Sequence, residues 1–146
     1  MNETRNEESI RRLGELLEDF DTAMLTTLQS RDGSLHSRPM MAQKAPFDGV
    51  LWFFSKFSSA KVDEIRGGSQ VNLAYSAPSE GRYLSVSGAA YVIRDRMRME
   101  SLWSEMYRAW FPRGLDDPDL VLLRVDVNEA DVWDAASKIN GETIKF

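Results

Sequence analysis

The sequence predicts a mainly β protein: an antiparallel β-barrel with α-helices near its start, in its middle and late in the chain. Strand-like segments outnumber helical ones, and most connections between strands are short. No GxGxxG motif follows a strand and no GxxxxGK motif occurs, so neither a dinucleotide-binding sheet nor a P-loop is indicated. Together these observations favour a barrel of six to seven antiparallel strands.

The composition limits both the size and the chemistry of the protein. Its 146 residues suffice for a single domain, which we place over residues 1–146. Neither a long apolar run nor an apolar leader segment is present, so we expect a cytoplasmic protein without a membrane span or signal peptide. Cysteine is absent and His36 is the sole histidine, which excludes disulfides, thiolate metal sites and histidine-rich metal sites. The net charge of −5 argues against nucleic-acid binding, and an anionic ligand would need a local positive patch.

Seven segments have the composition and the flanking turns of strands. An Asp-Gly turn around residue 33 separates the first two of them. Pro39 cannot donate a ladder hydrogen bond, so we expect it at an edge, a bulge or a ligand-facing position. Gly88 interrupts a long alternating segment and indicates a bend or bulge. The predicted strands cover residues 23–28, 35–45, 50–55, 70–77, 82–94, 120–127 and 131–135.

Helices are predicted in three places. Apolar residues recur at helical spacing over residues 9–20 and again over 95–110, where an aspartate is placed to cap the first turn. A shorter helix is predicted over 59–66, ended by two glycines. Residues 1–8 and 137–146 are polar, and we expect them to form loose tails.

The segment over residues 51–73 carries the strongest chemical signal. An apolar strand breaks into a serine-rich turn and then opens a helix with Lys61 in its first turn. A cation is unfavourable at the positive end of a helix dipole unless an anion lies beside it. The hydroxyls of Ser55, Ser58 and Ser59 and the free N–H groups of the helix start would complete a phosphate site. A solvent-exposed lysine on an ordinary capped helix explains the same residues.

Three motifs, in this order, are typical of a known family. They are Ser37-Arg38-Pro39-Met40 on a strand, Phe53-Phe54-Ser55 with Ser59-Ala60-Lys61 at a strand–turn–helix junction, and WFPRGLDDP at residues 110–118, followed by LVLL. From about residue 13 to residue 133, the chain resembles the FMN-binding split barrels of the pyridoxamine 5′-phosphate oxidase type. More narrowly, it resembles their general stress protein 26 branch. The resemblance implies a split β-barrel with helices.

The resemblance also implies which residues bind the flavin. Arg38 and Lys61 are assigned to the FMN phosphate, with help from Ser59 or Ser55; a guanidinium can grip phosphate oxygens in a bidentate way and a lysine supplies a point charge. Gln43 stands where the oxidase has a lysine near the polar edge of the isoalloxazine. The implied cofactor-binding set is Arg38, Pro39, Met40, Met41, Gln43, Phe54, Ser55, Ser59, Lys61 and Trp110.

Several of these residues have a simpler explanation. Met40 and Met41 suit a barrel core as well as a flavin site. Trp110 either covers the flavin of a partner subunit or packs on the apolar face of its own helix. His36 is interpreted as a structural or exposed residue, because a lone histidine is more often that than a catalyst.

By resemblance, the chain is expected to be an FMN-dependent oxidoreductase, homodimeric, with the flavin at the subunit interface and a small-molecule electron donor or acceptor. No histidine follows His36, so the arginine–histidine pair with which the oxidase holds pyridoxal phosphate is missing and pyridoxamine phosphate oxidation is not expected. Two alternatives remain open. The protein is a non-catalytic flavin-binding or sensing module, or the same fold binds FAD or a deazaflavin. A role in the general stress response is implied by the resemblance alone.

Overall fold

The computed structural model describes residues 2–29, 32–41, 46–59, 65 and 69–146. Within them, the strands are β1 (Thr22–Leu28), β2 (Leu35–Met41), β3 (Val50–Lys56), β4 (Ser69–Ala77), β5 (Arg82–Ile93), β6 (Leu120–Asp134) and β7 (Ile139–Lys145). They form one antiparallel sheet in the order β2-β1-β4-β5-β6-β3, and β7 pairs with β6. The predicted mainly β class is confirmed. Pro39 lies on β2, which ends this order, so the edge position expected for it is confirmed as well.

Two α-helices and three short 3-10 helices accompany the sheet in the described residues. The helices α1 (Asn2–Leu17) and α2 (Arg96–Leu102) lie before β1 and after β5. No helix in this part of the chain is both long and apolar enough to cross a membrane. The helix predicted over residues 59–66 lies outside the described residues, apart from Ser59 and Ile65. The 3-10 helices are Pro78–Glu80, Glu105–Ala109 and Gly114–Asp116.

The late helix is shorter than the periodicity predicts. Asp95 caps α2 as expected, its carboxylate accepting a hydrogen bond from the Arg98 amide, but the helix ends at Leu102. Trp103 has extended backbone angles, and a 3-10 helix follows it. Contacts with the sheet explain this turn, because the rings of Trp103 and Tyr107 both pack against Phe54 of β3. The prediction of one helix over residues 95–110 is therefore wrong.

Apolar side chains pack in two clusters on opposite sides of β3. The larger cluster fills the space enclosed by the sheet and is closed at one end by α1, whose Leu13 is fully buried. Phe53 belongs to this cluster, whereas the next residue, Phe54, points to the other face and packs with Met99 and Tyr107. Both faces of β3 are thus covered, in keeping with its continuous apolar sequence.

The predicted irregularity at Gly88 is confirmed, and it also explains an error in the prediction of β6. The register between β5 and β6 shifts at Ser87/Gly88, which leaves Asn128 as the extra residue of a bulge. A Cβ atom at position 88 would lie 2.3 Å from the Asp126 carbonyl oxygen, so the two strands approach closely there. The sequence predicts two separate strands here, over residues 120–127 and 131–135. Instead, β6 passes through the bulge without a break.

Both termini are more ordered than predicted. Residues 2–8 belong to α1, because the sequence there contains no glycine or proline that would break the helix. At the other end, β7 extends the sheet along β6, with Ile144 buried in the core. Side-chain contacts fasten this strand further: the Thr143 hydroxyl donates to Asp131 at 2.6 Å, and Arg12 of α1 pairs with Glu142 at 2.6 Å. The prediction of loose tails at 1–8 and 137–146 is wrong.

We expect Ile144→Ala to lower the free energy of unfolding by about 2–4 kcal/mol, because it deletes a buried side chain and leaves a cavity. The exposed neighbour provides a control, since Lys145→Ala should change the same quantity by less than about 0.5 kcal/mol. Urea unfolding of both variants measures the difference. Equal stability of the two would mean that β7 does not contribute to the core.

Candidate functional site

An apolar pocket of about 270 Å³ lies between the edge strand β2 and the second cluster. Five of the residues that the sequence assigns to the flavin line it together, and they come from three separate parts of the chain. Thr22, at the start of β1, is a polar residue of the lining. The lining consists of Thr22, Pro39, Met40, Met41, Phe54, Tyr107, Trp110 and Phe111.

Aromatic contacts around Phe54 form one wall of the pocket. The ring centroid of Phe54 lies 5.3 Å from that of Trp103, 5.8 Å from that of Tyr107 and 6.4 Å from that of Phe111. Tilted and edge-on pairs at such separations stabilise one another beyond their burial. Because four rings hold each other, the wall keeps its shape without a ligand, and a planar apolar group can pack against it.

Trp110 forms an exposed part of the lining. Its amide donates to the Tyr107 carbonyl at 3.0 Å, ending the 3-10 helix, and its side chain is 66% exposed. The alternative that Trp110 packs in the core is therefore wrong. A large apolar side chain that is exposed at the rim of an apolar pocket is placed to cover a ligand or to contact another subunit.

The two methionines differ in position. Met40 is 6% exposed and belongs to the main core, so the core interpretation holds for its side chain, although it also borders the pocket. Met41 is half-buried and packs against the second cluster rather than in the barrel interior. Alternation along β2 accounts for this difference, because successive side chains point to opposite faces.

Arg38 lies on the interior face of β2, away from the pocket lining. Its ladder partner is Leu25, a core residue, and cross-strand partners project on the same face. The Arg38 guanidinium donates to the Thr27 hydroxyl at 2.6 Å, and Thr27 is fully buried. Thr27 carries no motif in the sequence; only the register of β1 against β2 reveals its relation to Arg38.

The serine-rich turn after β3 is held by the loop before β6. The Asp119 carboxylate accepts from both the amide and the hydroxyl of Ser58, at 3.0 and 2.6 Å, and the Asp119 carbonyl accepts from the Phe57 amide at 2.7 Å. The amide and hydroxyl of Ser58 therefore have a structural role, since both donate to Asp119. Ser55 is buried, and its hydroxyl lies 3.4 Å from that of Ser59, so these two remain as a polar pair at the turn.

A buried carboxylate completes this loop. Asp117 is 6% exposed, accepts from the Asp119 amide at 2.9 Å and pairs with the Lys56 ammonium at 3.3 Å. The hydrogen bond from the Asp119 amide, followed by the Lys56 contact, holds the pKa of Asp117 below its ordinary value of 3.8, although desolvation acts in the opposite direction. Sequence reasoning did not single out either aspartate, although the DDPD run immediately before β6 is a signal for such a turn.

Two predicted binding residues, Gln43 and Lys61, lie outside the described residues. His36 is exposed near the β1–β2 hairpin, with its Nε2 atom 3.2 Å from the Ser34 hydroxyl, and it does not line the pocket. The structure thus gathers Pro39, Met40, Met41, Phe54 and Trp110 in one pocket. Arg38 lies elsewhere, on the interior face of β2, and Ser55 and Ser59 lie at the turn after β3.

The fold is a decorated antiparallel barrel, defined by its sheet order and covering helices, with an apolar aromatic pocket beside the edge strand β2. Comparison with known proteins gives this class its family. Residues 8–146 match the model of the family described as pyridoxamine 5′-phosphate oxidase like, and the chain belongs to that family. The family resemblance predicted from the three sequence motifs is confirmed.

Individual relatives agree with the split-barrel fold and with the general stress protein branch. The crystal structure of the general stress FMN/FAD binding protein from Xanthomonas citri is 30% identical, with a TM-score of 0.74, covering 88% of this chain and 89% of that one. General stress protein 26 of Bacillus subtilis is 27% identical over 129 residues, which are 85% of this chain and 87% of that protein. Protein bli-3 of Neurospora crassa is 29% identical over 112 residues, 70% of this chain; the match spans only 54% of bli-3.

The lowered pKa of Asp117 leads to a pH prediction. Because the folded-state pKa lies below the unfolded one, the carboxylate stabilises the fold above about pH 4, and this contribution is lost as the pH falls through the folded-state pKa. We expect Asp117→Asn to be less stable than the wild type at pH 7, with a difference that shrinks below about pH 4. Urea unfolding across this range measures it.

The exposed neighbour serves as the control for this experiment. Asp116 has a side chain that is 91% exposed, so Asp116→Asn should change stability little at any pH. A stability difference for Asp117→Asn that stays constant from pH 7 to about pH 3 would contradict the assignment of the lowered pKa to this carboxylate.

Proposed function

We propose that this protein is a cytoplasmic FMN-binding flavoprotein whose aromatic pocket receives the isoalloxazine ring. The observation that carries the proposal is the convergence of Pro39, Met40, Met41, Phe54 and Trp110 on a single pocket. A relative 30% identical in sequence is described as an FMN/FAD binding protein, which supports a flavin as the ligand. Its apolar lining and aromatic wall suit the apolar part of such a ring.

The phosphate of FMN is assigned to a second group of residues. Arg38 offers a guanidinium beside Thr27, and the hydroxyls of Ser55 and Ser59 lie together at the turn after β3. Lys61 is assigned to the phosphate from the sequence motif alone. Gln43 is assigned, also from the sequence alone, to the polar edge of the ring. Fixed cations and hydroxyls of this kind bind phosphate oxygens by charge-assisted hydrogen bonds.

A homodimer with the flavin at the subunit interface is part of the proposal. The outward-facing positions of β1, β2, β4 and β5 carry no formal charge, and several are apolar and exposed. Pro39 and Met41 belong to the same face and also line the pocket, so a second subunit seated there would lie against the bound ring. An uncharged face with several exposed apolar side chains is suited to association with a second subunit. The exposed apolar side chains of this face are Met24 (41%), Leu28 (52%), Leu35 (70%) and Tyr83 (40%).

Oxidoreduction with a small-molecule electron donor or acceptor is the activity we propose. The flavin, when bound, supplies hydride or single-electron transfer. Phe54 and Trp110 are among the pocket residues that would hold the ring, and the apolar lining would keep water from it.

One observation favours a second candidate, a flavin-binding module without turnover. Among the described residues of the pocket lining, Tyr107 is the one with a titratable side chain, so no carboxylate, imidazole or amine there can act as an acid or base. Anaerobic addition of NADH or NADPH to the flavin-loaded protein separates the candidates. Loss of flavin absorbance at a turnover rate supports the oxidoreductase, whereas an unchanged spectrum supports the module.

The phosphate assignment predicts that FMN binds more tightly than riboflavin. Arg38→Ala should weaken FMN by about 1.5–3 kcal/mol, because it removes a charged donor, and should leave riboflavin unchanged. Lys61→Ala is expected to act in the same way. Fluorescence titration of FMN, FAD and riboflavin measures these affinities, and Ser37→Ala, on the opposite face of the same strand, is the matched control. Equal affinity of the wild type for FMN and riboflavin would contradict the assignment of a phosphate site.

Trp110 predicts a spectroscopic signature. An indole in contact with the flavin ring is an efficient electron donor, so we expect Trp110 to quench the fluorescence of bound FMN. Because the side chain is 66% exposed, Trp110→Ala should melt close to the wild type in the absence of flavin, yet bind FMN more weakly and recover that fluorescence. In contrast, Trp103→Ala should lower stability by roughly 2 kcal/mol or more, since it removes a ring from the Phe54 cluster. Sedimentation with and without FMN tests whether only the dimer binds. Two results would contradict the interface site: a monomer that binds one FMN, or bound FMN that is as weakly fluorescent in Trp110→Ala as in the wild type.

A further inference from the structure

A second and larger cavity, of about 430 Å³, lies on the opposite side of β3, between that strand and α1. We call it the α1 cavity. Its walls include Ile10 and Leu17 of the helix, Phe47 of the segment that precedes β3, and Leu51 and Phe53 of the strand. Phe53 lines this cavity whereas Phe54 lines the aromatic pocket, so the two sites lie on different faces of the same strand. The volume is within the range of small-molecule sites, about 300–1,000 Å³.

The one buried polar side chain that lines the α1 cavity is Tyr75, which is 1% exposed. In the part of the chain that the structure describes, no hydrogen bond joins its hydroxyl to another group. The Tyr75 side chain lines the cavity, so a molecule bound there would lie against it. Burial raises the pKa of Tyr75, so the phenol stays protonated and is available as a donor.

Gly14 points to the same conclusion from the helix side. Glycine in the interior of a helix is less stable than alanine, and α1 carries one where the helix lines the cavity. A Cβ atom at this position would meet Phe47 at 3.5 Å, an ordinary van der Waals contact, so the backbone does not require glycine there. The missing side chain instead leaves the cavity open.

The charges around the cavity indicate what kind of molecule fits. Exposed charged residues of α1, Arg11 and Glu15, and Glu18 directly after the helix line the cavity. Together they carry one net negative charge, which disfavours an anion. Deeper in the cavity the described walls are apolar apart from Tyr75, so a charged group would be buried without a partner. A neutral molecule with a single polar group satisfies both conditions.

We propose that the α1 cavity binds a neutral, apolar, ring-sized molecule whose single hydroxyl or carbonyl oxygen accepts a hydrogen bond from Tyr75. The ring replaces solvent against Leu51, Phe53 and Phe47, and the oxygen satisfies the unpaired phenol. This site is separate from the aromatic pocket and does not depend on the binding of a flavin.

Equilibrium dialysis of the full chain with 2-naphthol and with naphthalene tests the proposal, because the two probes differ by one hydroxyl. The wild type should bind 2-naphthol about three- to tenfold more tightly than naphthalene, as expected for one hydrogen bond. Tyr75→Phe keeps the ring and removes the donor, so it should bind both probes with the affinity that the wild type has for naphthalene. A preference for 2-naphthol that persists in Tyr75→Phe, or its absence from the wild type, would overturn the proposal.

Filling the cavity provides an independent test of the location. Gly14→Leu should weaken both probes at least about tenfold, while Gly14→Ala, which adds a single methyl group, should bind nearly as the wild type does. Trp110→Ala, in the aromatic pocket, should leave both affinities unchanged. Probe binding that is lost in Trp110→Ala and kept in Gly14→Leu would place the probes in the other pocket and overturn the proposal. Thermal melting of each variant checks that it folds. If Gly14→Leu does not fold, the binding of the two probes to Tyr75→Phe tests the proposal.

Discussion

Burial of β3 on both of its faces is the constraint on which the rest of the structure depends. Antiparallel sheets commonly expose one face, but Phe53 of this strand packs in the barrel interior and Phe54 packs in the outer cluster. The outer face must therefore be covered, and the segment after β5 does so with Trp103, Tyr107 and Phe111. Those covering rings, together with the edge strand, make the aromatic pocket. The inner face in turn forms a wall of the α1 cavity.

The end of β3 also bears on how this acidic protein would hold the phosphate that we propose it binds. Where β3 ends, the turn that carries the serines is fastened by carboxylates, which are themselves a poor environment for phosphate. Asp119 is occupied by the amide and hydroxyl of Ser58, and Asp117 is paired with Lys56 and bonded to the Asp119 amide. Lys56 thus compensates the charge of Asp117, and the hydrogen bonds from Ser58 hold the Asp119 carboxylate in place, which limits the repulsion that a bound phosphate would meet. Ser55 and Ser59 remain as the polar pair of the turn.

Much of the sheet and part of the site could be predicted from the sequence, because local patterns encode them. Alternation and turn residues located the strands, and the motif around Pro39 and Phe54 supplied lining residues that the fold does bring together. The failures share a physical cause, namely long-range packing. The strand β7 buries little besides Ile144, so it shows no alternation, and Asn128 looks like a turn although a bulge absorbs it. Thr27 and Tyr75 are ordinary strand residues in sequence, and only their cross-strand and cavity surroundings distinguish them.

The chemistry available to the aromatic pocket follows from what its described walls lack. Acid–base steps need a positioned side chain that changes its protonation near neutral pH, and the lining offers a single phenol, Tyr107, that has other contacts. With the described residues alone, an activity at this site would take its proton transfers from the substrate, from solvent or from a second subunit. Of these three sources we favour a second subunit, because it would dock on the uncharged face beside Pro39 and Met41. In that arrangement one fold would form the pocket, and the partner's surface would determine which molecule reacts there.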